Sequence, residues 1–86
     1  MYKIVRKRVL NPTVTQMEIE APLVAAKGKP GQFIILRVDE DGERIPLTIA
    51  DYDAVRGTVT IMYQRLGLTT HKLDLMEAGD NILDVV

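Results

Sequence analysis

No cysteine occurs anywhere in the 86 residues. That one absence excludes disulfides, thiolate-held iron–sulfur clusters, cysteine-type zinc sites and cysteine nucleophiles. Serine and tryptophan are missing too, and there is a single histidine, His71. A serine nucleophile is therefore impossible, and one imidazole alone does not hold a metal ion, so no metal is expected. Aromatics are confined to Tyr2, Phe33, Tyr52 and Tyr63, a thin supply for the stacking platforms of a barrel that binds single-stranded nucleic acid. The net charge is −1, whereas duplex binding draws on a surplus of Lys and Arg. The one basic cluster, Lys3, Arg6, Lys7 and Arg8, reads as a solvated strand face. No apolar run approaches the ~20 residues that span a bilayer. The opening Met1-Tyr2-Lys3-Ile4 has no signal-peptide core. A cytoplasmic protein with neither nucleic acid nor membrane as partner is the expectation.

What is present is a chain of ordinary globular composition, 47% hydrophobic and 27% charged, long enough for one small domain. β-branched residues dominate and turn residues break the chain at short intervals. Strands are predicted over residues 2–10 and 13–20, joined by the Asn11-Pro12 turn. In the second, Met17 and Ile19 alternate with Glu18 and Glu20, which predicts one wet face. Residues 21–31, with Pro22, Gly28, Pro30 and Gly31, read as a loop, and Val24-Ala25-Ala26 as too short for a helix. Residues 32–38 are almost continuously apolar, which predicts a strand buried on both faces or lying inside a closed barrel. After the acidic turn at 39–42, residues 44–50 form a fourth strand. Pro46 within it marks an edge, a bulge or an opening. Residues 51–57 are a polar turn, and residues 58–64 alternate as a fifth strand.

The period then changes. Leu66, Thr69, Thr70, Leu73 and Met76 fit a short helix starting near Thr69 or Thr70 and ended by Ala78-Gly79-Asp80. Residues 81–86 form a sixth strand. The fold class is all-β, a barrel of six strands with one short helix between strands five and six. Closure is preferred because it leaves so small a body no long exposed edge.

No Gly-rich dinucleotide motif or P-loop is present, and the acidic pairs Asp39/Asp41 and Asp51/Asp53 read as turn formers. Two segments stand out. In Arg44-Ile45-Pro46-Leu47-Thr48, the proline interrupts pairing and leaves a hydroxyl and backbone groups to a planar polar ligand. In Tyr63-Gln64-Arg65-Leu66-Gly67-Leu68-Thr69-Thr70, a glycine permits close approach, and the threonines sit where a helix presents unpaired N–H groups to an anion. A Pro-broken edge strand and a Thr-capped helix explain the same residues without any ligand.

These segments, the Lys29-Pro30-Gly31-Gln32-Phe33 entry to strand three and the opening Tyr2-Lys3-Ile4-Val5 resemble the flavin-binding barrel of the ferredoxin–NADP reductase superfamily, and within it the small electron-transfer subunits. The resemblance covers essentially the whole chain. It implies an antiparallel Greek-key barrel that binds FAD, or less readily FMN, in an electron-transfer oxidoreductase. Thr48 takes the family's strand-four hydroxyl position, beside the flavin ring, and Leu47 the position of its ring-stacking aromatic. The family's phosphate-binding arginine falls on Ile45, with Arg44 one residue earlier, a shift that reverses the side chain's face. Pro46 lies between Ile45 and Leu47. Gly67, Thr69 and Thr70 match the pyrophosphate-binding motif, and Met62, Tyr63 and Gln64 the strand beside the flavin. Family members continue into an NAD(P)-binding domain, carry a cysteine-held iron–sulfur cluster and act with a larger redox subunit. Residues 1–86 are therefore expected to be a single flavin-binding barrel, a truncated or engineered isolated domain that is not a reductase on its own. The alternative is a scaffold or docking barrel that folds without cofactor.

Overall fold

The computed structural model describes residues 2–27, 31–42, 44–64 and 67–85, without the side chains of residues 67–69. Seven strands and two short helices follow in the order β1 (Tyr2–Asn11), β2 (Val14–Glu20), α1 (Pro22–Lys27), β3 (Phe33–Arg37), β4 (Ile45–Asp53), β5 (Thr58–Gln64), α2 (Gly67–Asp74), β6 (Asn81–Ile82) and β7 (Asp84–Val85). The hairpin β1–β2 turns on Asn11, whose Oδ1 accepts from the amides of Thr13 and Val14 at 2.9 Å each. All pairings are antiparallel, in the order β6-β1-β2-β5-β4-β3-β7.

The two end strands are pieces of one run, and this is how the sheet closes. Ile82 and Asn81 pair with Tyr2 and Lys3, while Val85 and Asp84 pair with Leu36 and Arg37. The run changes partner at Leu83, whose amide donates to the Val38 carbonyl at 3.2 Å. The expected sixth strand is thus divided in two, because one short segment must serve both edges of a nearly closed barrel. Inside lie Ile4, Met17, Ile19, Leu36, Ile61 and Ile82, all 0% exposed.

Four further expectations are corrected. Residues 22–27 are helical: Pro22 occupies the first helical position, where its missing N–H costs nothing, and Ala25 N donates to Ala21 O at 2.8 Å. Ala21 and Ala25 are small enough to bury their backbone against the barrel, so tertiary packing supplies what propensity does not. Of the two readings of residues 32–38, β3 is a strand of the nearly closed barrel and is not buried on both faces. Ile34 and Leu36 point inward, but Phe33 is 66% and Ile35 36% exposed on the outer face. β4 runs three residues past its expected end to Asp53, absorbing a bulge between Ile49 and Asp51. The turn that follows is organised by Asp53, whose Oδ1 accepts from the amides of Val55 and Arg56 at 3.0 Å each. Finally, α2 starts at Gly67, so Thr69 and Thr70 lie inside its first turn rather than at its cap.

Two surface readings change as well. Glu18 is covered rather than wet: the Arg56 guanidinium lies over it, Nη1 3.2 Å from Oε1, a contact without hydrogen-bond alignment. Lys7 leaves the solvated face and runs under α2, its side chain 12% exposed.

Candidate functional site

β4 keeps two different neighbours along its length. From Ile45 to Thr48 it pairs with β3, as Leu36↔Ile45, Ile35↔Pro46, Ile34↔Leu47 and Phe33↔Thr48. From Ile49 to Asp53 it pairs with β5, starting at Ile49↔Ile61. Beyond Ile61, β5 continues through Met62, Tyr63 and Gln64 on its β2 side, opposite Gln16, Thr15 and Val14. The described β4–β5 ladder therefore stops at Ile49/Ile61. Pro46 bars the ladder from resuming further along β4. Ile49 N donates to Gln32 O at 2.7 Å and Ile49 O accepts from Gly31 N at 3.1 Å, so the main chain of Ile49 faces β3. By alternation Thr48 and Pro46 turn theirs to the β5 side, and at Pro46 that edge has no N–H to extend the ladder.

Alternation also sorts the expected site residues by face. Pro46 and Thr48 on β4, and Met62 and Gln64 on β5, are exposed. With Phe33 and Ile35 of β3 they form an outer shelf that is largely apolar, on which Met62 is 45% exposed. Leu47 and Tyr63 point the other way. Leu47 packs against the core, and Tyr63, 3% exposed, is part of it. Ile45 is half-buried beside Leu36, while Arg44 is exposed and its Nη1 contacts Asp84 Oδ2 at 3.4 Å. The structure thus brings Pro46, Thr48, Met62 and Gln64 to one surface and keeps the Leu47 and Tyr63 side chains off it.

The shelf leads toward the start of α2. β4 and β5 are antiparallel, so going from Thr48 back to Arg44 runs the same way as going from Met62 on through Gln64 toward Gly67. Four residues of strand span about 13 Å. A helix leaves its first amides without intrahelical acceptors, and in α2 those begin at Gly67. Lys72 Nζ, 3.8 Å from Asp39 Oδ1, ties the helix to the β3–β4 turn. The Thr69 side chain, Arg65 and Leu66, and Lys29 and Pro30 of the strand-three entry lie outside the described residues.

Three features escaped sequence reasoning. One is the exposure of Phe33 and Ile35, hidden by a run that is apolar at every position. Another is Asp74, the last residue of α2, whose Oδ1 accepts from Thr15 Oγ1 at 3.1 Å and from Tyr63 OH at 3.2 Å. Its signal was legible: an acidic side chain at a helix C-terminus opposes the dipole and needs a reason. The third is an apolar groove of about 640 Å³ at the α1 end of the barrel, lined by Tyr2, Leu23, Val24, Phe33, Ile34 and Val85 among others. Among the described residues, none of the expected site residues lines it.

Among the described residues no helix is long and apolar enough to cross a membrane. No family model matches the chain. An uncharacterized protein in the adh 3′ region of Clostridium beijerinckii is 56% identical over 86 residues, covering 100% of this chain and 29% of that protein. A dihydroorotate dehydrogenase B (NAD(+)) electron transfer subunit homolog from Thermotoga maritima is 43% identical over 84 residues, covering 98% of this chain and 30% of that protein. The NADH-dependent reduced ferredoxin-NADP oxidoreductase, a solved structure that addresses flavin-based electron bifurcation, superposes with a TM-score of 0.96 at 42% identity, covering 100% of this chain and 31% of that one. The chain spans under a third of the length of each.

Proposed function

We propose, from the chain's membership of the FAD-binding barrels of the ferredoxin–NADP reductase superfamily, that it is the flavin-holding module of an electron-transfer oxidoreductase. The observation that carries this reading is the shelf at the β4–β5 opening and its direction. An exposed apolar surface around Thr48 suits one face of a planar ring. Three residues after Gln64 begins a helix whose first amides suit phosphate. The donor set fits the group. Phe33, Ile35, Pro46 and Met62 would pack on the ring, the Thr48 hydroxyl would meet its polar edge, and the first amides of α2, with Thr69 and Thr70, would receive the pyrophosphate of FAD. Gln64 lies between the two. Arg44 would contribute to the phosphate end only by giving up Asp84. Leu47 and Tyr63 would act from inside, by holding the two strands in place.

When bound, the flavin supplies reversible one- and two-electron chemistry. The chain's own residues bind and orient it and shield one face from water. In this reading residues 1–86 are one barrel module. Electron delivery from NAD(P)H then needs a nucleotide-binding domain and a larger redox subunit as partners.

The test is a titration of the chain with FAD and with phosphate-free riboflavin, followed by desalting. The expected outcome is a retained visible flavin band with FAD. In Thr69→Ala/Thr70→Ala the affinity for FAD should fall well beyond that for riboflavin. Equal losses for both ligands would make the threonines structural. Binding of neither ligand to the parent chain would overturn the flavin reading. It would favour a cofactor-free docking barrel, for which the apolar groove beside α1 is the supporting observation.

A further inference from the structure

α2 is held to the barrel in an unusual way. Among its described side chains only Leu73 is fully buried. A single buried apolar side chain among those described leaves the tilt of an eight-residue helix to other contacts. Besides the Lys72–Asp39 pair, polar anchors converge on Asp74 at its last position. Asp74 Oδ1 accepts from the hydroxyls of Thr15, at 3.1 Å, and Tyr63, at 3.2 Å. Thr15 and Tyr63 face each other across the β2–β5 ladder. From β1, Lys7 Nζ donates to the Asp74 main-chain carbonyl. It also lies 3.9 Å from Asp74 Oδ1 and 3.6 Å from Glu77 Oε1. Three strands thus direct donors at one residue.

Local preference argues against aspartate here, since the C-terminal end of a helix carries partial negative charge and favours cations. A side chain kept against local preference and enclosed by donors answers a need elsewhere in the molecule. The two hydroxyls have the matching need, because Thr15 is 0% and Tyr63 3% exposed and a buried hydroxyl requires a partner.

We infer that Asp74 is a positioning residue for the phosphate end of the flavin site, setting the tilt of α2 through Thr15, Tyr63 and Lys7 so that the helix start meets the pyrophosphate. This rests on the flavin reading above. The lever is short and stiff. An eight-residue helix is about 12 Å long, so a swing of about 10° at Asp74 moves its start by about 2 Å, more than a hydrogen bond to phosphate tolerates.

The experiment compares the parent chain with Asp74→Ala, Asp74→Asn and Tyr63→Phe. It reads FAD affinity, riboflavin affinity and amide hydrogen exchange in α2. Asp74→Ala should weaken FAD by about tenfold or more, since an ångström of misplacement is enough to do so, and leave riboflavin within about twofold. Exchange in α2 should quicken while the β2–β5 amides stay protected. Asp74→Asn keeps an acceptor for both hydroxyls and should retain most of the FAD affinity. Should Asp74→Ala fail to fold, Tyr63→Phe removes one donor only and should shift FAD selectively, to a smaller degree. A parent that binds FAD, with variants that lose FAD and riboflavin equally or lose neither, overturns the positioning role and leaves the flavin reading standing. A parent that binds neither ligand overturns both.

Discussion

Gly57 and Gly31 both sit at positive φ, 71° and 91°, yet their surroundings differ. A Cβ on Gly57 would lie 3.2 Å from Pro22 Cβ and 3.3 Å from Pro22 Cα, whereas one on Gly31 would meet nothing within 4 Å. Gly31→Ala should therefore cost only the left-handed backbone strain, about 1 kcal/mol, and Gly57→Ala about 2–3 kcal/mol, because overpacking adds to strain. Urea unfolding midpoints measure the difference; equal costs would show that α1 shifts away freely. The same residue scale decides how far the site could be read beforehand. Strand alternation sorts Pro46 and Thr48 to one face of β4 from the sequence alone, whereas the place of Met62 beside them came from the family resemblance. The inward turn of Leu47 and Tyr63 follows from that same alternation. What could not be read was each polar partner. Arg44 meets Asp84, forty residues away in sequence, and Lys7 reaches Asp74, sixty-seven away. Such pairs exist only once the barrel has closed.

At the scale of elements, β5 emerges with its expected bounds, Thr58–Gln64, since its period-2 pattern is complete and its ends carry turn residues. α1 was missed because a six-residue helix has no independent stability. Its existence is a packing fact, and packing makes a prediction. Ala25 is fully buried and Leu23 is 82% exposed on the same helix. Ala25→Leu should destabilise by about 1–3 kcal/mol through overpacking, while Leu23→Ser, which touches only the open groove, should stay within about 0.5 kcal/mol. Thermal unfolding of the two variants checks it. A large loss for Leu23→Ser would mean that the groove is covered in the folded chain. The start of α2 was misjudged by two or three residues for a different reason. Thr69 and Thr70 have the chemistry of caps, but the helix begins at Gly67, which puts those residues in the turn where amides have no intrahelical acceptor.

For the whole molecule the decisive feature is closure by the last run, and it sets the relation between stability and ligand. Ile82 is 0% exposed and pairs with Tyr2 on the far edge of the sheet. Its truncation, Ile82→Ala, removes core volume where the barrel joins, at a cost of about 2–5 kcal/mol. A chain of this size has a total margin of roughly 4–13 kcal/mol, so the variant should be visibly labile without ligand. Ile82 closes the β1–β6 side of the last run, and the proposed flavin shelf lies on the outer faces of β3, β4 and β5. With no shared residue, the two contributions should add. FAD at a hundred times its dissociation constant stabilises by about 2.7 kcal/mol. It should therefore raise the urea midpoints of the parent and of Ile82→Ala by the same free energy, each titrated at that multiple of its own dissociation constant. FAD affinity itself should be unchanged in the variant. A weakened affinity would show that the closing seam takes part in shaping the site. An unchanged midpoint in both proteins would remove the cofactor from the account of how this barrel is stabilised.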